Sequence, residues 1–154
     1  ARTLFDSRVD VVGGDLIKPE TLLPAVEGAC HIIFTAGCRS GYPVREPLVK
    51  AVEYEGVLHT LEAAGRVAFA GRFLYMTSSG VLTQSVATRC LNLWKGNTLV
   101  WRRRVEDRIR TSGLDYTIIR VGVLVNQRGG EHLIEVTQQP LPLAWRYRRS
   151  LTQW

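Results

Sequence analysis

The 154-residue chain has one methionine, Met76, three cysteines and three histidines, and aromatic residues make up only 8% of it. Cys30, Cys38 and Cys90 have no metal-ligand spacing and cannot all pair. That excludes a disulfide framework, and it reads as a reduced, cytoplasmic protein without a metal site. His31, His59 and His132 make no catalytic pattern, and His31, inside a strand-like run, is expected to be a packed residue rather than a base. No apolar stretch approaches the ~20 residues that span a bilayer, so no membrane is expected among the partners. The residues after Ala1 show neither a secretory nor a transit pattern. Internal repeats and low-complexity tracts are also absent. A chain that opens on Ala1 and carries its one methionine in mid-strand reads as a fragment of a longer parent.

Hydrophobic residues at 45% and charged residues at 22% fit one globular domain with a real core. The net charge of +6 is concentrated in two runs, Arg102-Arg103-Arg104 with Arg108 and Arg110, and Arg146 with Arg148-Arg149. The first run falls on a helical pattern as a solvated face, and neither run accompanies a nucleic-acid motif. Nucleic acid is therefore not an expected partner.

Three apolar runs organise the chain: Cys30 to Ala36, Phe73 to Met76, and Asp115 to Arg120. Uninterrupted runs of that length suit strands buried on both faces of a parallel sheet. The central run breaks into Thr77-Ser78-Ser79-Gly80, which places hydroxyls at a strand's carboxyl end, where open α/β sheets hold ligands. Strands are expected at Val9–Val12, Ile32–Thr35, Phe73–Met76 and Tyr116–Ile119, with another over Leu133–Thr137. Helices are expected over Pro19–Glu27, strained by Pro24, over Glu46–Ala64 with Gly65 past its end, and over Asn97–Thr111 with Gly113 as its capping glycine. Val81 to Gly96 reads as a long connection, and Gly37 to Pro43 as a ligand-facing loop. Alternating strands and helices imply an α/β, doubly wound, mostly parallel sheet.

Val12-Gly13-Gly14-Asp15-Leu16, Ala29 to Gly37, Glu53-Tyr54-Glu55-Gly56-Val57-Leu58, Phe73 to Gly80 and Ser112 to Arg120 occur in that order. Together they resemble the atypical short-chain dehydrogenase/reductase superfamily, the NAD(P)-binding, NmrA-like and sugar-epimerase-like group, over about residues 1 to 145. The resemblance implies one partial Rossmann-like domain over residues 1–154 that lacks the family's first strand and its Gly-x-x-Gly-x-x-Gly turn. NAD or NADP is the implied cofactor of the full-length parent, and weak or absent binding is expected of this fragment, since that turn carries the pyrophosphate. The implied partners are the dinucleotide and an unidentified small-molecule substrate, with the oligomeric state open.

Residue by residue, the resemblance places Asp15 at the adenine amino group with Leu16 beside the ring; a turn residue is the alternative for Asp15. Thr35, Ala36 and Gly37 fall where backbone passes the adenosine ribose, with Ser78 close by, an ordinary strand-ending turn being the alternative for Gly37; Ser79 matches the catalytic serine. Glu106 sets a helix register that puts Thr98 at the position of the family's Tyr and Arg102 at that of its Lys. A second register, Leu91 to Lys95, keeps the Lys and again lacks Tyr. Threonine cannot replace an ionisable phenol, while arginine could still hold ribose hydroxyls. The implied activity is that of an oxidoreductase-like domain lacking the usual Tyr. The alternative is a non-catalytic NAD(P)-sensing, assembly or regulatory protein.

Overall fold

The computed structural model describes residues 8–38, 45–82, 85–122, 124, 136 and 138, the side chains of 87 and 91 apart. Three parallel strands, β1 (His31–Phe34), β2 (Arg72–Ser78) and β3 (Asp115–Val121), form a sheet in the order β1-β2-β3. Ile32 pairs with Phe73 and Phe73 with Tyr116, so the three expected strands lie side by side. Parallel neighbours need crossover connections. The first holds α2 (Glu46–Lys50), a π-helical turn (Ala51–Glu55) and α3 (Gly56–Arg66); the second holds α4 (Val86–Trp94) and α5 (Thr98–Arg110).

One sheet face is packed. Phe34, Phe73 and Tyr75 meet Val57 of α3 and Val105 and Ile109 of α5 in a single buried cluster. Successive strand side chains alternate between faces, which is why β2 buries Phe73, Tyr75 and Thr77 while Leu74 and Met76 stay half-buried opposite. A second cluster joins Leu22 and Val26 of the short α1 (Leu23–Val26) to Ala63.

Four local expectations are corrected. Val9–Val12 forms no strand, because no described strand lies alongside to take its backbone groups. Pro19–Glu27 is not one helix: a 3-10 turn (Pro19–Thr21) gives way at Leu22 to α1, which places Pro24 in a first turn, where a missing N–H costs nothing. The helix expected to end at Ala64 continues to Arg66, with Gly65 inside it; Ala68 adopts the left-handed conformation, and Phe69 N–H reaches back to Ala64 O. The connection expected between Val81 and Gly96 contains α4, separated from α5 by left-handed Gly96 and Asn97. Gly113, at φ +77, follows α5 as expected. Residues 39–44 of the loop after β1, and the strand expected over Leu133–Thr137 apart from Val136, lie outside the described residues.

Candidate functional site

Because β1 and β2 run parallel, the residues that follow them share one edge of the sheet. Thr35, Ala36 and Gly37 leave β1 there, exposed, and Ser79 opens a 3-10 turn (Ser79–Leu82) at the end of β2. Ser78 Oγ accepts a long 3.5 Å contact from Gly80 N–H. Helix α5 lies across this edge. A Cβ on Gly80 would sit 3.3 Å from Leu99, and a Cβ on Gly37 would sit 3.5 Å from the Arg102 guanidinium.

Arg102 is fixed by Glu53. Its Nε donates to Oε2 at 2.6 Å, and its terminal nitrogen donates to Oε1 at 3.3 Å. The same Oε1 accepts the Cys38 backbone N–H at 3.1 Å. Glu53 is 4% exposed, and the π-helical turn carrying it adds the extra residue that π-bulges commonly bring to functional sites. One buried carboxylate thus joins three elements: the loop after β1, the first crossover helix and α5. Burial, with Glu53 nearby, raises the Cys38 thiol above its usual range.

Sequence reading placed Glu53 within a motif but gave it no role. The signal was there in Val49, Glu53 and Val57, four residues apart and all buried. A carboxylate on an apolar stripe needs a partner. Glu106, used only to set the register, is likewise buried and accepts from Arg110 at 3.1 Å and Arg120 at 2.6 Å. It ties α5 to β3 one turn beyond Arg102.

Asp15 forms a local turn: its Oδ1 accepts the Ile17 N–H at 3.0 Å, and its own N–H donates to Thr21 Oγ1 at 2.8 Å. Leu16 packs on the core, its carbonyl meeting His59 Nδ1 at 2.7 Å. This approach requires glycine at 56, where a Cβ would stand 2.9 Å from that of Leu16. Thr98 Oγ1 donates to Lys95 O at 2.7 Å. Tyr75 is buried beside Phe34, and burial pushes its phenol well above the usual tyrosine range, the wrong direction for an acid–base group.

A family model described as NAD(P)H-binding matches residues 1–146. Protein TIC 62, chloroplastic, of Pisum sativum is 30% identical over 117 residues, which is 75% of this chain and 19% of that protein. Sanguinarine reductase of Eschscholzia californica is 46% identical over 39 residues, 25% of this chain and 14% of the reductase. A solved Bacillus halodurans structure, described as an NAD-dependent epimerase/dehydratase, superposes with a TM-score of 0.60 at 22% identity. That superposition covers 77% of this chain and 51% of the other. The chain therefore spans about a fifth or less of these two curated relatives.

Proposed function

The chain belongs to the NAD(P)H-binding family, within the atypical short-chain dehydrogenase/reductase superfamily, and from that premise we propose that its 154 residues form one partial domain supplying the adenosine-ribose side of a dinucleotide site. The observation that carries this reading is Arg102, held by Glu53 beside Gly37 at the carboxyl edge.

Gly37 supports the fit. Its φ is not left-handed, and a Cβ there would meet protein only at ordinary contact distance. Neither backbone nor packing needs glycine at 37, which suits close approach of a ligand. The remaining N–H groups of Arg102 would donate to ribose hydroxyls, and Asp15 would accept from the adenine amino group beside Leu16. Thr35 and Ala36 would border the ribose, with Ser78 next to them. No Gly-x-x-Gly-x-x-Gly occurs in the sequence, so these residues do not fit the pyrophosphate.

A bound nicotinamide supplies or accepts a hydride. In an oxidoreductase of this type Ser79 would orient the substrate carbonyl, with Thr98 and Arg102 along the same helix. Thr98 spends its hydroxyl on Lys95 and Tyr75 is held neutral, and these facts favour the second reading, a non-catalytic NAD(P) sensor or assembly factor. Three unpaired cysteines suit a reducing compartment such as the cytoplasm.

Calorimetric titration with NADH and NADPH tests the first reading. Weak or absent binding by the 154 residues and firm binding by a longer parent are expected. Gly37→Ala in that parent should leave the unfolding temperature unchanged and weaken binding about tenfold, a cost of ~1.4 kcal/mol. Unchanged affinity would remove Gly37 from the site. Turnover of carbonyl substrates by the parent, lost in Ser79→Ala, would exclude the non-catalytic reading.

A further inference from the structure

Among the described side chains, helix α4 is amphipathic in the inverted sense. At helical spacing Thr88 and Asn92 share one side, while Val86, Cys90, Leu93 and Trp94 share the other. The polar side turns inward. Ser85 N–H donates to Thr88 Oγ1 at 2.8 Å and Ser85 Oγ accepts the Thr88 N–H at 3.2 Å, while Asn92 Oδ1 accepts the Leu99 N–H at 3.0 Å. The apolar side turns outward: Val86 is 78%, Leu93 83% and Trp94 62% exposed. A solvated helix has the opposite arrangement, so this face is shaped for something other than water.

Charge indicates what covers it. Exposed Arg89 borders the apolar face, exposed Lys95 follows it, and exposed Arg103 and Arg104 lie on the next helix. Residues 86–110 hold seven arginines and lysines against two acidic residues, and of the seven Arg102 is paired with Glu53 and Arg110 with Glu106 and Asp107. A single nine-residue helix projecting large apolar side chains offers little of the ~1,600 Å² of a stable protein interface. It does match a helix lying in the headgroup plane, with Leu and Trp at the acyl boundary and cations against anionic lipid.

We propose that the outward face of α4 docks the chain reversibly on an anionic lipid surface. Among the described residues no helix is long and apolar enough to cross a membrane, and docking needs no crossing. The proposal does not rest on the dinucleotide site and stands if that site fails.

Cosedimentation with phosphatidylcholine vesicles, with and without about a third phosphatidylglycerol, tests it. The expected result is about tenfold more bound protein on the anionic vesicles, lost near 0.5 M salt. Leu93→Asp should abolish binding at an unchanged unfolding temperature. Should that variant unfold, Arg89→Glu with Lys95→Glu carries the test and should lose the anionic preference. Equal binding to both vesicles, or binding to neither, would overturn the proposal. So would a concentration-dependent dimer in light scattering that Leu93→Asp dissolves, since the occupant would then be a second copy.

Discussion

Helix α5 and the segment from Arg8 to Gly14 are attached to the fold in opposite ways. Helix α5 is held twice, by Val105 and Ile109 buried on the sheet and by Glu106, which accepts from Arg110 and Arg120 between them. The segment has apolar residues too, yet Val9, Val11 and Val12 are about half exposed. Its apolar anchoring comes further along, where Leu16 packs against Gly56 and Leu22 and Val26 pack against Ala63. Apolar content alone does not make a core; a strand also needs a neighbour for its N–H and C=O groups.

Substitutions that break this contrast should be graded. Phe73→Ala, at a fully buried position in the cluster, should cost ~3–5 kcal/mol in urea denaturation, a large share of a domain's total stability. Glu106→Ala removes the carboxylate that Arg120 donates to at 2.6 Å, while Arg110 keeps Asp107 at 2.9 Å. Both arginine side chains are partly solvated, so the cost should be about 2–3 kcal/mol, below the usual range for a broken buried pair.

Tyr75 sharpens the same region through pH. Its pKa is raised in the folded state, so the fold retains the phenol proton more strongly than the unfolded chain does. Its contribution is complete below the ordinary tyrosine value of about 10 and is lost as pH rises beyond it. The unfolding temperature should fall as pH rises above about 10, and Tyr75→Phe should flatten that fall. An unchanged slope in the variant would mean the phenol is not buried as described.

The remaining effects are small. Ala68→Gly should stabilise by about 0.5–1 kcal/mol, because Ala68 holds a left-handed conformation at φ 50 that glycine adopts without penalty. Val11→Asp should change stability by less than about 0.5 kcal/mol. If it costs as much as Phe73→Ala, the segment is held more firmly than its exposure indicates.

The sequence made the three strands legible because each is an apolar run ending in small or hydroxyl residues. It made α5 legible because Trp101, Val105 and Ile109 recur every four residues. Val9–Val12 was misread because strand propensity is local while strand pairing is not. Helix α4 escaped although Val86, Cys90, Leu93 and Trp94 share one helical side, because Ser85, Thr88 and Asn92 among them are residue types that also favour turns. In the site, Ser79 and Gly37 stood out at strand ends. Glu53 was passed over because its role depends on Arg102, forty-nine residues later in the chain.

The central claim is that dinucleotide contacts gather at the carboxyl edge of the sheet, around Gly37 and Arg102. Titrating the isotope-labelled chain with NADPH and following amide shifts by NMR tests it most directly. The account predicts weak binding, with Kd near ~1 mM, and shifts confined to Asp15, Thr35 to Cys38, Ser78 to Gly80 and the first turns of α5. Shifts clustered instead at Arg72 and Asp115, the opposite edge, would contradict it, as would tight binding that leaves Gly37 and Arg102 undisturbed.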